Sequence, residues 1–279
     1  MNNLKKLKLL VASALLSSTA VYADDCINGN QTNCGVIITG SQTIDIDRNI
    51  STTNKRGINI FQKGEVIFSI DGNITTDSNI TSAAGITIDG SAATNNVINM
   101  IGNISTISRG GAEQLHGIRL TSGASNNTVN VRGNVSTSGN VSSGIIMFNG
   151  NSNNNVTLTG DINLTGTAQS YGVRLYGSPG NVSNDNVVTV NGDINTVNHS
   201  IYVSTDVTDN NVVVNGDIQS SNSAIKFQGD EVTKNVITVN GNVSTTATSN
   251  STISFGSSSD NEVIIVGNVT QSAVKPAIK

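Results

Sequence analysis

The chain has 279 residues, of which 12% are charged, 28 are Gly, five are Phe and none is Trp. Large side chains are too few for a conventional globular core, yet Val and Ile are spread evenly rather than gathered into helical stripes, so the organisation must lie in a period. With the first 23 residues set aside, 12 basic and 19 acidic residues remain, a formal charge of about −7, which argues against sequence-independent binding of DNA or RNA.

Residues 1–23 read as an export signal. Lys5, Lys6 and Lys8 open it, an apolar stretch runs from Leu9 to Ala20, and Val21 and Ala23 stand at the small-residue positions before a cleavage point. The stretch is too short to span a membrane. Residues 24–40 begin DDCINGNQTNCG and read as a cap, because an open stack of strands needs its edge covered. Cys26 and Cys34 are the only cysteines, and an even count in an exported chain predicts a disulfide between them. Closing so short a loop is worth about 2–3 kcal/mol. A metal site would need more ligands than two thiols.

From residue 41 to 279 one pattern recurs, anchored on G-[N/D]-[I/V] at Gly72, Gly102, Gly133, Gly160, Gly192, Gly216, Gly241 and Gly267, with Arg48 in the glycine's place in an earlier copy. The anchors are separated by 24 to 32 residues, yet the positions two and four before each are always apolar, from Ile44 and Ile46 to Val263 and Ile265. A third apolar position follows two residues after the anchor, from Ile50 to Val269, and a second pair lies downstream, as in Ile58 and Ile60 or Val173 and Leu175. Alternation with β-branched residues is the signal of a half-buried strand, so each copy supplies three short strands.

Segments such as DIN and NVS are too short to pair in hairpins of their own. A right-handed parallel β-helix of about nine coils solves this, since each strand pairs with its equivalent in the next coil and like side chains stack about 4.8 Å apart. The rod would be roughly 40–45 Å long. Its core would hold about 43 apolar side chains, each worth roughly 1.5–3 kcal/mol when fully buried. Length variation falls in SRGGAEQLH, TGTAQSY and STTATSNS between the second and third strands, and in SGASNN and YGSPGNVSND after the third.

Six residues before the anchor stands Asn in seven copies: Asn96, Asn127, Asn154, Asn186, Asn210, Asn235 and Asn261. A plain turn would accept Ser or Asp as well. A column of amides bonded from coil to coil would not, and Asn210→Ala would then cost about 1–3 kcal/mol.

This signal and the repeat N-x-V-x-V-x-G-[D/N]-[I/V]-x-[S/T] over residues 24–279 resemble the passenger region of bacterial autotransporter outer-membrane proteins. The resemblance implies a surface-displayed rod exported by a Gram-negative cell, held in the periplasm, at the cell surface or outside it. Such relatives carry a C-terminal translocating β-barrel, and no alternating aromatic-rich strands follow Thr270. Ala277 and Ile278 match the start of a third strand, so the expectation is a member truncated within a coil or served by a separate barrel. Implied partners are host or cell-surface glycans or proteins, with no nucleic acid, no membrane span and no cofactor.

Other β-helices degrade polysaccharides, which requires converging acids and bases. Asp161, Asp193 and Asp217 follow three successive anchors, close enough in a parallel stack for a weak Ca²⁺ site, though Asp and Asn also interchange as turn residues. His116 and His199 each precede a third strand about three coils apart, and no triad surrounds either. Arg109, Arg119, Arg132 and Arg174 are scattered, with Arg119 and Arg174 outward on the third strand, while Tyr171, Tyr176 and Tyr202 form a patch that could stack on a sugar ring or shield a strand edge. Catalytic and metal residues are therefore not assigned. The reading is a structural or adhesive passenger without catalytic activity, with a polysaccharide lyase or hydrolase, or a remnant of a split gene, as alternatives.

Overall fold

The computed structural model describes residues 22–23, 36–38, 41, 43–79, 83–110, 114–166, 169–247, 250–272 and 277–278. They form an all-β, right-handed parallel β-helix with three long sheets. The first sheet stacks nine strands from Thr43–Ile46 to Glu262–Ile265, and the second stacks nine from Ile50–Thr53 to Val269–Gln271. The third stacks nine parallel strands from Val36–Ile38 to Ile253–Phe255, and Tyr22–Ala23 adds an antiparallel pair at its starting edge. Nine strands make eight coil-to-coil steps, roughly 38 Å at about 4.8 Å each. The solenoid thus begins inside the segment read as a cap, and a bridge from Ile253 to Ile278 continues the third sheet beyond its last strand.

Pairing joins equivalent positions of the repeat. Val129 pairs with both Ile98 and Val156, and Ile104 with both Ile74 and Val135. The inward columns form one continuous core from Ile38 to Ile253. Beside the second sheet's apolar column runs an inward polar one, with Thr52, Thr76, Thr106, Thr137, Ser220 and Thr245 all buried. Its side chains are those of the terminal [S/T] in the repeat.

Two features depart from the sequence reading. First, part of the loop read before the third strand is itself strand. Gln114–Thr121, Val141–Phe148 and Gln169–Tyr176 are each eight residues long. They carry an internal glycine where the backbone passes close to the second sheet: a Cβ on Gly117 would lie 2.2 Å from Val135 Cγ1, and one on Gly144 would lie 2.5 Å from Ile162 Cγ2. Later strands begin one residue after this position, which there holds buried Ser200, Ala224 and Thr252. Gly144→Ala is expected to cost about 1–3 kcal/mol by overpacking, read as a lower urea midpoint with unchanged slope; an unaltered midpoint would mean the two sheets can separate locally.

Second, a short fourth sheet lies at the corner after the third strand. Ser183–Asn184, Val207–Thr208 and Val232–Thr233 pair in parallel, and single bridges at Thr94, Ser125, Ser152 and Ser259 extend the row. The very next residue turns the chain back towards the core with positive φ: Asn95, Asn126, Asn153, Asp185, Asp209, Lys234 and Asp260 all have φ between 54° and 57°. Asn and Asp tolerate this left-handed conformation better than other side-chain-bearing residues, which is why they predominate in the column.

The anchor glycines stack so closely that a Cβ on Gly133 would lie 2.1 Å from the Gly102 carbonyl oxygen, and one on Gly102 would lie 2.2 Å from that of Gly72. Arg48 is accommodated because the first sheet starts with its copy, so among the described residues no earlier anchor carbonyl lies beneath it.

Candidate functional site

Two polar ladders run the length of the rod, and they differ in chemistry. In the inner one, Asn127 Nδ2 donates to Asn154 Oδ1 at 2.9 Å, Asn154 to Asn186 at 2.9 Å, Asn186 to Asn210 at 2.9 Å and Asn210 to Asn235 at 2.9 Å. Asn96 and Asn235 make the same bond at the two ends, to Asn127 and Asn261. From Asn96 to Asn235 each backbone N–H donates to the same oxygen as its own side chain, as Asn186 N does to Asn210 Oδ1 at 2.9 Å. The second amide hydrogen reaches a loop carbonyl, that of Ser183 in the case of Asn210. From Asn127 to Asn235 every oxygen therefore accepts twice and every amide nitrogen donates at least twice. Only an amide can do both.

The outer ladder is exposed and asks for less. Asn73 N donates to Asn49 Oδ1, Asn103 N to Asn73, Asn134 N to Asn103, Asp161 N to Asn134, Asp193 N to Asp161, Asp217 N to Asp193, and Asn242 N to Asp217, at 2.7 to 2.9 Å. A side-chain oxygen suffices here, so Asn and Asp interchange. One oxygen of each of Asp161, Asp193 and Asp217 is thus committed to a backbone N–H. Among the described residues no group of three or more His, Cys, Asp or Glu is arranged to hold a metal ion.

Cys26 and Cys34 lie outside the described residues. The expected disulfide is corrected accordingly: no disulfide is present among the described residues, and none is carried further.

The scattered arginines part company. Arg109 pairs with Asp77 at 2.5 Å on an exposed corner. Arg132 lines one end of a groove of about 590 Å³ on the outward face of the first sheet, with Asp45, Asp47 and Asp71 at the other end and Ile101 between. Arg119 and Arg174, by contrast, join the tyrosines on the outward face of the third sheet.

There the register makes three adjacent columns. His116, Ser143 and Tyr171 follow one another in one, with His199 next to Tyr171; Arg119, Ile146, Arg174, Tyr202 and Lys226 fill the second; Phe148, Tyr176, Ser204 and Gln228 fill the third. Rings stack along the rod axis: Tyr171 and Tyr202 have centroids 4.9 Å apart with planes 16° from parallel, and His199 lies 5.5 Å from Tyr202. The Arg174 guanidinium carbon lies 4.9 Å from the Tyr171 ring centre, 5.1 Å from that of Tyr176 and 5.9 Å from that of Tyr202. Arg119 covers Phe148 at 5.0 Å and Lys226 approaches Tyr202 at 5.9 Å.

Burial depresses His116, His199, Arg119 and Lys226. His116 is pushed down to about 3 by burial and then by Arg119 and Arg174, and His199 to about 4 by burial, against the opposing bond to the Ser223 carbonyl. That bond, 2.8 Å from Nδ1, fixes the tautomer, because a carbonyl can only accept: Nδ1 carries the proton. Arg119 falls to about 10 and Lys226 is lowered, both through burial first. Ser143 stands beside His116 in register but its hydroxyl makes no hydrogen bond, and neither does His116 Nδ1. His199 is a ring-stacking member of the column, and both histidines are neutral at pH 7.

The patch of Tyr171, Tyr176 and Tyr202 was legible in the sequence, but its union with Arg174, His199 and Lys226 was not. Register neighbours on successive coils are 24 or 28 positions apart, as in Tyr202 with Lys226 and Arg174 with Tyr202, and only the coil lengths bring them together. The one available signal was alternation, which marks 174, 202 and 226 as outward. No known protein family, characterised protein or solved structure matches the chain.

Proposed function

We propose that this protein is an exported, non-catalytic β-helical rod of the kind found in autotransporter passengers, acting as a structural or adhesive element at a Gram-negative cell surface. The observation that carries the reading is the strict coil-to-coil register of nine strands in each sheet. It repeats outward chemistry along an extended face instead of gathering it in a pocket. A signal-like first segment and an acidic remainder support export and solubility. Among the described residues no helix is long and apolar enough to cross a membrane.

The test is expression of the full chain in a Gram-negative host with and without a co-expressed translocating barrel, followed by antibody labelling of intact cells and adhesion to glycan-coated surfaces. Labelling and adhesion that depend on the barrel are expected. Retention inside the cell with no adhesion by the purified chain would overturn the reading in favour of a remnant.

The first-sheet groove favours a second reading. Ile46 pairs with Ile70, so Asp47 and Asp71 follow equivalent positions of neighbouring coils and both line the groove, and a pair of adjacent carboxylates is what glycoside hydrolysis uses. Turnover of a polysaccharide panel that is abolished by Asp71→Asn would replace adhesion with hydrolysis.

A further inference from the structure

The third-sheet strip combines flat aromatic rings with two cations, Arg174 and Lys226. The ion pairs of Arg56 with Asp89 and of Arg109 with Asp77 involve neither residue. Asp206, buried at the nearby corner with an unpartnered Oδ2, pairs with neither cation. Stacking against tyrosine faces engages the guanidinium through its π surface and leaves its in-plane N–H donors unused. Arg174 Nε is buried and has no hydrogen-bond partner. The side chain as a whole is only half-buried, so the solvent-facing edge of the guanidinium can take an incoming oxyanion.

We propose that Arg174, Tyr176, Tyr202 and Lys226 form a binding site for an anionic glycan. A sugar ring packs on the half-buried tyrosines, and its carboxylate or sulfate is held by the two cations. Tyr171 and His199 lie beneath as a rigid stack, 7% and 6% exposed, and hold Tyr202 in place. Tyr202 Oη lies at 3.5 Å from Gln228 Oε1 on the exposed side of the strip, where both can reach sugar hydroxyls. Arg is suited to the planar, bidentate recognition of a carboxylate, and aromatic faces select a ring over a linear acid. This deepens the adhesive reading by naming the ligand class.

The experiment is titration of the purified full chain with a heparin-derived hexasaccharide, with isomaltohexaose as a neutral control and hexaglutamate as an acidic non-sugar control. Binding of the first alone is expected, weakening with added salt. Arg174→Gln and Lys226→Gln should each weaken it about tenfold. Tyr202→Leu should do the same while Tyr202→Phe retains affinity, the ring being what packs. Far-UV circular dichroism and urea midpoints establish that each variant is folded, and the half-buried Lys226 serves should Arg174→Gln not fold. Equal binding of isomaltohexaose or hexaglutamate, absence of hexasaccharide binding, or binding indifferent to all these variants would overturn the proposal. Cell adhesion that survives Arg174→Gln and Lys226→Gln would overturn this site while leaving adhesion intact; hexasaccharide binding by a chain never displayed would do the reverse.

Discussion

Replacing Asn210 with Ala is expected to destabilise the rod by about 3–5 kcal/mol, among the largest effects of any single truncation of a polar side chain here. Its oxygen accepts from both the backbone and the side-chain nitrogen of Asn186, and its own amide donates to Ser183, Thr208 and Asn235. With the side chain gone, two donors of Asn186 lose one acceptor in a site where Asn186 and Asn235 are each 1% exposed. Asn210→Asp should be no better at pH 7, because a carboxylate there keeps the acceptor, loses three donated bonds and buries a charge. On the outer ladder Asp193→Asn should change stability by less than about 0.5 kcal/mol, since an exposed oxygen is all that Asp217 N requires. Urea denaturation of the three variants provides the comparison. Equal effects for Asn210→Asp and Asp193→Asn would mean that the two columns do the same work.

Acid should unfold the protein earlier than its carboxylates alone would require. In the folded state His116 and His199 remain neutral down to about 3 and 4, whereas in the unfolded chain they titrate near 6.5. A histidine held below its unfolded pKa binds fewer protons when folded, so stability rises with pH and is lost as pH falls. The window opens near 6.5 and extends to about 4. With both groups engaged the slope approaches about 2.7 kcal/mol per pH unit. Facing charges oppose protonation as well, Arg119 and Arg174 at His116 and Lys226 at His199. Urea midpoints measured from pH 7 to 4.5 should fall steeply. His199→Phe, which preserves stacking between Tyr171 and Tyr202, should remove about half of the slope even if it shifts the absolute stability. A midpoint independent of pH between 6.5 and 4.5 would show that both rings protonate freely.

The alternating apolar positions could be read directly because a strand's side-chain period is local: Ile98 and Met100, or Val188 and Val190, point inward whatever follows. The distinction between the two ladders was also written in composition. Asn96 to Asn261 admit no Asp, whereas Asn134 is followed along the outer ladder by Asp161, because an inner amide must donate as well as accept. The left-handed corner left only a faint trace. It falls on Asn153 and Asp185, where the residue type agrees, but also on Lys234, where nothing local announces it.

By itself, then, the sequence determined the parallel β-helix, its register and the chemistry of its columns, since each depends on residue type at a fixed offset from the anchor. Tertiary structure decided what lies side by side on the outside. Copies differ in length by as much as eight residues, so lateral neighbours are set by where each loop returns the chain. Arg174 meets Tyr202 and Tyr202 meets Lys226 only because successive third-sheet strands stack one residue above its equivalent. The same stacking decided burial: Arg119, which alternation alone assigns to solvent, is only 9% exposed on the outward face. Packing between coils acts at about 4.8 Å in space but across two dozen or more residues of chain, a separation over which local sequence carries no geometric information.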